Sequence, residues 1–135
     1  MVDYISPGAV HDLLKDSSAR ILIIDVRDED FAGGHVESGG RTLNVPSEGW
    51  DDPAVLSEVK ARCAGVQLCV FHCMMSSQRG PFCARAFHEM LSEEERNLQK
   101  VSVLQGGFKY WREFFPDAVS RAAGVPTVQS SSPEE

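Results

Sequence analysis

Cys73 and Arg79 are separated by five residues, and this spacing is the feature of the 135-residue chain best suited to covalent chemistry. The apolar run 68–71 before Cys73 predicts a strand, and the pattern of residues 80–91 predicts a helix. Cys73 therefore opens a loop, the 73–79 loop, that runs from a strand end to a helix start. Such a loop points several backbone N–H groups at one place, where the helix dipole adds positive potential.

This arrangement predicts a nucleophile that lies beneath a bound oxyanion. The Arg79 guanidinium is a planar fork of donors that suits a tetrahedral oxyanion. The Cys73 thiol is expected to ionise easily, because a helix N-terminus and a nearby cation both stabilise thiolates. The alternative is a buried cysteine followed by an ordinary surface arginine. The predicted oxyanion-binding loop comprises Met74, Met75, Ser76, Ser77, Gln78 and Arg79.

Two side chains outside the loop are candidates for supporting it. His72 precedes the nucleophile and is expected to orient the loop and to lower the pKa of the thiol; alternatively it is a strand-end histidine bonded to the backbone. Asp25 follows an apolar strand and is expected to anchor the loop by accepting its N–H groups, the alternative being a helix cap or a surface carboxylate. The run Asp28-Glu29-Asp30 is predicted to be a solvated first turn.

The elements that must position these residues alternate between strand and helix. The apolar spacing predicts helices at 8–15, 54–64, 80–91 and 108–115, and strands at 20–26, 42–45, 68–71 and 101–104. Because the strand at 20–26 is apolar on both faces, it is predicted to be covered by helices on each side. The pattern predicts a single three-layer α/β/α domain with a central, mostly parallel sheet at 1–121. Residues 122–135 are predicted to be a flexible C-terminal tail.

Composition limits the partners and the compartment. The net charge of −7 argues against nucleic acid, and no apolar run is long enough for a membrane span. The N-terminus lacks the pattern of a signal peptide, so we expect a reducing, cytoplasmic environment with free thiols. The four cysteines form no paired Cys-x2-Cys array, so neither a metal site nor a bound cofactor is predicted.

Four stretches resemble the rhodanese-like superfamily, in its branch of cell-division-cycle dual-specificity phosphatases and small eukaryotic arsenate and antimonate reductases. The resemblance covers roughly residues 5 to 116 and implies the rhodanese-like fold. Its central motif is His72-Cys73-x-x-Ser76-Ser77-x-Arg79-Gly80-Pro81. The other stretches are Ile24-Asp25-Val26-Arg27 with Phe31-Ala32-Gly33-Gly34-His35-Val36, then Leu43-Asn44-Val45-Pro46, and Leu104-Gln105-Gly106-Gly107-Phe108-x-x-Trp111.

The resemblance implies four alternatives. Three are enzymes that act through Cys73, namely a reductase, a phosphatase and a sulfurtransferase, and the fourth is a binding module without catalysis. Met74 and Gln78 stand where the cell-cycle phosphatases carry glutamates, so a phosphatase would need its acid from Glu48, Asp51 or Asp52. Sulfur transfer is disfavoured because typical rhodanese loops are one residue shorter. The expected activity is therefore reduction of arsenate or antimonate, with a phosphatase, a thiosulfate sulfurtransferase or a non-catalytic binding module as alternatives.

The reductase reading also predicts the source of the second thiol. In the related phosphatases a partner cysteine lies between the Asp and the Arg of the first motif, where this chain has Val26. Cys69 is about 13 Å from Cys73 along an extended strand, beyond disulfide reach. Cys83 is the one plausible internal candidate, and core packing is its alternative role. The expected reductant is therefore external: glutathione, with or without glutaredoxin.

Overall fold

A five-stranded parallel sheet covered by helices on both faces forms the centre of the molecule. The computed structural model describes residues 2–31, 34–121 and 124–129. The main strands and helices, in chain order, are β1 Asp3–Ile5, α1 Pro7–Leu14, β2 Ile21–Asp25, β3 His35–Val36, β4 Thr42–Asn44, α2 Pro53–Arg62, β5 Leu68–His72, α3 Arg79–Met90, α4 Glu93–Leu98, β6 Lys100–Leu104, α5 Gly107–Phe114 and β7 Val119–Ser120.

The order of the strands places the 73–79 loop at the middle of the sheet. The order is β1-β6-β5-β2-β4, and every neighbouring pair is parallel. Strand β5 is therefore central, and its last residue, His72, lies beside Asp25 at the end of β2. In open α/β sheets ligands bind at the carboxyl ends of the strands, and the 73–79 loop begins at that edge.

Side chains of the sheet alternate between two apolar clusters, one on each face. One face packs against α2 and α3, and the other packs against α1 and α5. The predicted three-layer α/β/α arrangement is confirmed, and each predicted strand or helix occurs within two residues of its expected bounds. Residues from each cluster are Ile24, Phe71, Val55 and Phe87 on the first face, and Ile23, Val70, Val10 and Trp111 on the second.

Several elements were not predicted. Strand β1 extends the sheet beside β6, and β3 pairs with β7 in a small antiparallel sheet. The charge run that begins at Glu93 forms α4, which starts with a capping box between Ser92 and Glu95. No helix in the described part of the chain is long and apolar enough to span a bilayer.

The segment around Thr127 differs from the expectation of a flexible tail from residue 122. Thr127 forms a parallel bridge with Asn44, and Val128 is buried at 7% exposure. The Asn44 N–H donates to the Pro126 carbonyl at 2.9 Å, and its carbonyl accepts the Val128 N–H at 2.9 Å. Backbone bonds along β4 order this segment despite its small and polar composition. Residues 122–123 and 130–135 of the predicted tail lie outside the described residues.

Candidate active site

The Cys73 thiol lies at the base of the 73–79 loop and receives two backbone hydrogen bonds. The N–H of Ser76 donates to its Sγ at 3.1 Å, and the N–H of Gly80 donates at 3.3 Å. Cys73 is 3% exposed, so these contacts are shielded from water. Gly80 fits because a Cβ there would come within 3.3 Å of the Cys73 nitrogen and the His72 Cα. Two N–H groups aimed at one sulfur balance the charge of a thiolate.

Most of the remaining N–H groups of the loop are available to a ligand. Five of them have no acceptor among the described residues, although their neighbours Ser76 and Gly80 are bonded to sulfur. Several unpaired N–H groups in one turn at a helix start make an anion-binding concavity. The five belong to Met74, Met75, Ser77, Gln78 and Arg79.

Two carbonyl groups of the loop accept hydrogen bonds from the start of α5. The Phe108 N–H donates to the Cys73 carbonyl at 3.0 Å, and the Lys109 N–H donates to the Met74 carbonyl at 2.8 Å. Gly107 has φ of 63°, and a Cβ there would lie 2.6 Å from the Met74 carbonyl oxygen. The glycine pair was visible in the sequence, but its contact with the loop was not. It permits the close approach that orients the loop.

Arg79 is held by two carboxylates. Its Nη2 donates to Asp30 at 2.8 Å, and its Nη1 donates to Asp30 at 3.0 Å and to Asp28 at 3.2 Å. The hydrogen bond from Arg79 lowers the pKa of Asp30 below its ordinary value, and the same bond raises the pKa of Arg79. The prediction that this acidic run is only a solvated turn is therefore wrong for Asp28 and Asp30, which lie about 50 residues from Arg79 in sequence and beside it in space.

The predicted loop residues line one open cavity, with one exception. The cavity is bordered by Cys73, Met74, Met75, Ser77, Gln78 and Arg79, and has a volume of about 250 Å3. Ser76 instead turns inward: it is 3% exposed, and its hydroxyl has no partner among the described residues. Its φ of 55° is unusual for a residue with a side chain and aims its N–H at Cys73.

The carboxylates considered as proton donors do not line this cavity. Asp52 is the N-cap of α2 and accepts the Ala54 N–H at 2.9 Å. Glu48 and Asp51 have exposed side chains. Among the described residues, the side chains that border the cavity offer sulfur, hydroxyl, amide and guanidinium groups and no carboxylic acid.

The His72 side chain supports the loop by a hydrogen bond to the loop backbone. Its Nδ1 lies 3.0 Å from the Cys73 carbonyl, and because a carbonyl only accepts, Nδ1 carries the proton. Complete burial lowers the pKa of His72, and its Nε2 is 3.6 Å from Asp25, too long for a hydrogen bond. The expectation that His72 orients the loop fits this contact. A neutral ring does not supply the positive charge that the expected effect on the thiol required.

Asp25 does not accept the N–H groups of the loop, contrary to expectation. Its two oxygens are used by Arg27, whose Nη2 and Nε lie 2.7 and 3.0 Å away and whose N–H is 3.1 Å away. Arg27 stacks on Phe108, with its Cζ 4.2 Å from the ring centroid, and Asn44 donates to both carbonyls of the pair. Arg27 is two residues away and fully buried, so its charge must be paired by Asp25. Asp25 therefore pairs with Arg27 at the end of β2, beside His72 at the end of β5.

The other thiols are enclosed in the core. Cys83 has no exposed surface, and burial raises the pKa of its thiol. Cys63 and Cys69 are also fully buried, with their Sγ atoms 3.6 Å apart. The position of the missing partner cysteine, Val26, is packed in the same cluster as Cys73. Thiols enclosed in the core are poor nucleophiles.

The family is decided by a match to the model of the rhodanese-like domain, which extends over residues 6–114. The chain belongs to the rhodanese-like domain family. In this rhodanese-like chain the matched residues include strand β5, the 73–79 loop and helix α3, with Cys73 directly after the strand.

Relatives of this rhodanese-like chain have two kinds of name. A CDC25-like phosphatase of Saccharomyces cerevisiae is 32% identical, with 91% of this chain and 90% of the relative covered. Arsenate reductase 2.1 of Oryza sativa subsp. japonica is 34% identical, with 99% and 81% covered. The solved structure of a yeast protein tyrosine phosphatase of the rhodanese family superimposes with a TM-score of 0.79 at 27% identity, over 89% of this chain and 92% of that one. Both kinds of name occur among relatives that this chain matches over at least 81% of their length.

Proposed function

We propose that this chain is a thiol-dependent reductase of arsenate or antimonate, with Cys73 as the nucleophile. One observation carries the proposal. The cavity at Cys73 is bordered by Arg79 and by loop residues whose N–H groups have no acceptor among the described residues, five such groups in all. The Cys73 sulfur already accepts two N–H groups, and no carboxylic acid of the described residues borders the cavity. An oxyanion is therefore held over sulfur without a built-in proton donor for an alcohol leaving group. Arsenate requires only the departure of water or hydroxide.

The reaction follows from the positions of these groups. The Cys73 thiolate attacks arsenic(V), a sulfur–arsenic bond forms, and an oxygen leaves as hydroxide or, with a proton, as water. A second thiolate attacks the Cys73 sulfur, and the electron pair of the broken sulfur–arsenic bond reduces arsenic(V) to arsenic(III). A third thiolate attacks the resulting mixed disulfide, which frees the Cys73 thiolate and produces one oxidised disulfide. The loop N–H groups and Arg79 balance the charge of the bound oxyanion at each step.

The second thiol is proposed to come from outside the chain, as glutathione with or without glutaredoxin. Val26 replaces the internal partner cysteine, and Cys83 is enclosed in the core with a raised pKa. In contrast, Met75 at the edge of the cavity is exposed, so a small thiol can approach from solvent. The four cysteines are free thiols, which suits the proposed reducing, cytoplasmic location.

A phosphatase is the second candidate, and the names of some of the relatives support it. The CDC25-like phosphatase of yeast matches nearly the whole chain, and phosphate has the same tetrahedral shape as arsenate. A phosphocysteine at Cys73 would use the same N–H groups and Arg79. Release of an alcohol or phenol would need an acid, and Glu48, Asp51 and Asp52 do not border the cavity.

Arsenate-dependent formation of a mixed disulfide tests the proposed function. The protein is incubated with one equivalent of glutathione and with or without arsenate, and Cys73 is analysed by peptide mass spectrometry. We expect glutathione on Cys73 only when arsenate is present, and its removal by glutaredoxin with excess glutathione. Absence of the adduct, together with hydrolysis of an aryl phosphate by the same preparation, would replace the reductase by the phosphatase.

A further inference from the structure

The guanidinium of Arg79 is bound by carboxylates at one end and has an unpaired donor at the other. Nη1 and Nη2 donate to both oxygens of Asp30, and Nη1 also donates to Asp28. Nε has no acceptor among the described residues, and Nη2 has a second hydrogen. The edge formed by Nε and Nη2 is the edge that binds two oxygens of a tetrahedral anion. Arg79 also borders the cavity above Cys73.

The two carboxylates are themselves fixed. The Asp28 N–H donates to Asp30 at 3.0 Å, which ties the two residues together. Asp28 also accepts the Ser47 hydroxyl at 2.7 Å and the Glu48 N–H at 3.2 Å, both from the turn that follows β4. Asp28 and Asp30 are therefore tied to each other and, through Asp28, to the turn that follows β4. From this position they can fix the long side chain of Arg79, of which about one third is exposed.

We propose that Asp28 and Asp30 are positioning residues for oxyanion binding, because they hold Arg79 by its Nη1 and Nη2 atoms and leave its Nε edge for the ligand. The inference rests on the proposed function in that the ligand is a tetrahedral oxyanion. An arginine that is ordered before binding does not lose its rotational freedom on binding, so the oxyanion binds more tightly. The opposing effect is electrostatic, since two carboxylates beside one guanidinium repel an anion.

Substitution of Asp30 separates ordering from repulsion. In Asp30→Asn the shape is kept and the charge is lost, so Arg79 loses its bidentate partner. If Asp30 positions Arg79, the dissociation constant of inorganic phosphate rises by at least about fivefold, the size expected from immobilising one long side chain. Asp30→Glu keeps the charge and should recover part of this loss. If Asp30 acts mainly by repulsion, phosphate binds Asp30→Asn more tightly than it binds the wild type, and the inference is overturned.

The binding measurement is protection of Cys73 from the neutral reagent iodoacetamide by increasing concentrations of phosphate. Asp30→Asn is compared in the wild-type and the Arg79→Ala background. A residue that acts through Arg79 has little further effect once Arg79 is absent, whereas a residue with a general structural role has the same effect in both backgrounds. The control is Glu58→Gln, which also removes one negative charge and breaks the exposed pair with Arg62 at 3.0 Å.

The outcomes distinguish this inference from the proposed function. If phosphate and arsenate fail to protect Cys73 in the wild type, the oxyanion site itself is wrong and the inference falls with it. If the wild type is protected and Asp30→Asn is protected equally well, only the positioning role is wrong. Should Asp30→Asn fold poorly, as judged by thermal unfolding, Asp28→Asn takes its place with the same expected direction. Three results together support the inference. Phosphate protects Cys73 less well in Asp30→Asn than in the wild type, and it protects Glu58→Gln as well as the wild type. In the Arg79→Ala background, Asp30→Asn causes no further loss of protection.

Discussion

The backbone N–H of Ser76 donates to the Sγ atom of Cys73 at 3.1 Å, and Ser76 adopts a left-handed φ of 55° in doing so. This conformation is costly for a residue with a Cβ, and the Ser76 hydroxyl is buried without a partner among the described residues. Strain and an unpaired hydroxyl at the same position indicate that the local structure is arranged for the sulfur and not for stability.

Ser76→Pro and Ser76→Ala form a matched pair that tests this contact. Both remove the hydroxyl, but only proline removes the N–H, and proline cannot adopt a positive φ. We expect Cys73 to be alkylated by iodoacetamide at least about tenfold more slowly in Ser76→Pro than in Ser76→Ala, equivalent to about 1.4 kcal/mol of activation free energy. Equal rates at neutral pH would show that this N–H does not stabilise the thiolate.

Gly107→Ala tests whether α5 orients the 73–79 loop. The new Cβ would lie 2.6 Å from the Met74 carbonyl oxygen, so the loop must move. We expect turnover to fall by at least about tenfold, because misplaced catalytic groups lose that much or more. Gly65→Ala is the control: Gly65 also has a positive φ, of 81°, but a Cβ there meets nothing within 4 Å. An equal loss in both variants would attribute the effect to backbone strain and not to the contact with the loop.

The buried His72 predicts how stability depends on pH. Burial lowers its pKa in the folded protein, whereas the unfolded chain binds a proton near pH 6.5. The contribution of the neutral His72 ring to the free energy of unfolding is therefore present above pH 6.5 and is lost as the pH falls toward the pKa in the folded protein. The free energy of unfolding then falls by up to about 1.4 kcal/mol per pH unit. Urea unfolding of wild type and His72→Gln between pH 7.5 and 5 measures it. The dependence of the unfolding free energy on pH should become weaker in His72→Gln, and it should change less in His88→Gln, whose ring is only partly buried. A larger change in His88→Gln than in His72→Gln would contradict the assignment.

Cys83→Ala tests whether the second thiol is internal. Cys83 is enclosed in the core, so the substitution should cost about 1 kcal/mol of stability. Turnover of arsenate with glutathione should persist, and it should stop in the wild type when no thiol is added. If Cys83→Ala ended turnover while phosphate still protected Cys73 from alkylation, an internal relay through Cys83 would replace the external donor.

The sequence predicts the elements of this fold well and its long-range contacts poorly. The 73–79 loop is recognisable because strand, thiol, turn residues and helix are contiguous. The contact of Asp28 and Asp30 with Arg79 cannot be predicted from the local pattern, because an acidic run at a turn is typical of solvated residues and Arg79 is about 50 positions away. The pairing of Asp25 with Arg27 is also beyond the local pattern, because nothing in the sequence shows that Arg27 is buried and uses both carboxylate oxygens.

The short or compositionally unusual elements were also beyond prediction from local pattern. Strand β1 has three residues, too few for a periodic signal. Thr127 and Val128 lie in a stretch of small and polar residues, and only their backbone bonds to Asn44 order them. The capping box of Ser92 and Glu95 was readable in principle, because its residue types and spacing form a local signature.

The comparison of four substrates tests the central claim most directly. One preparation is assayed with arsenate, with antimonate, with an aryl phosphate and with thiosulfate, each with and without glutathione and glutaredoxin, and Cys73→Ser serves as the control. We predict thiol-dependent reduction of arsenate or antimonate at a kcat/KM above that for the aryl phosphate or thiosulfate, and no activity in Cys73→Ser although its fold is retained. A higher kcat/KM for the aryl phosphate, independent of added thiol, or arsenate reduction by Cys73→Ser, would contradict the account.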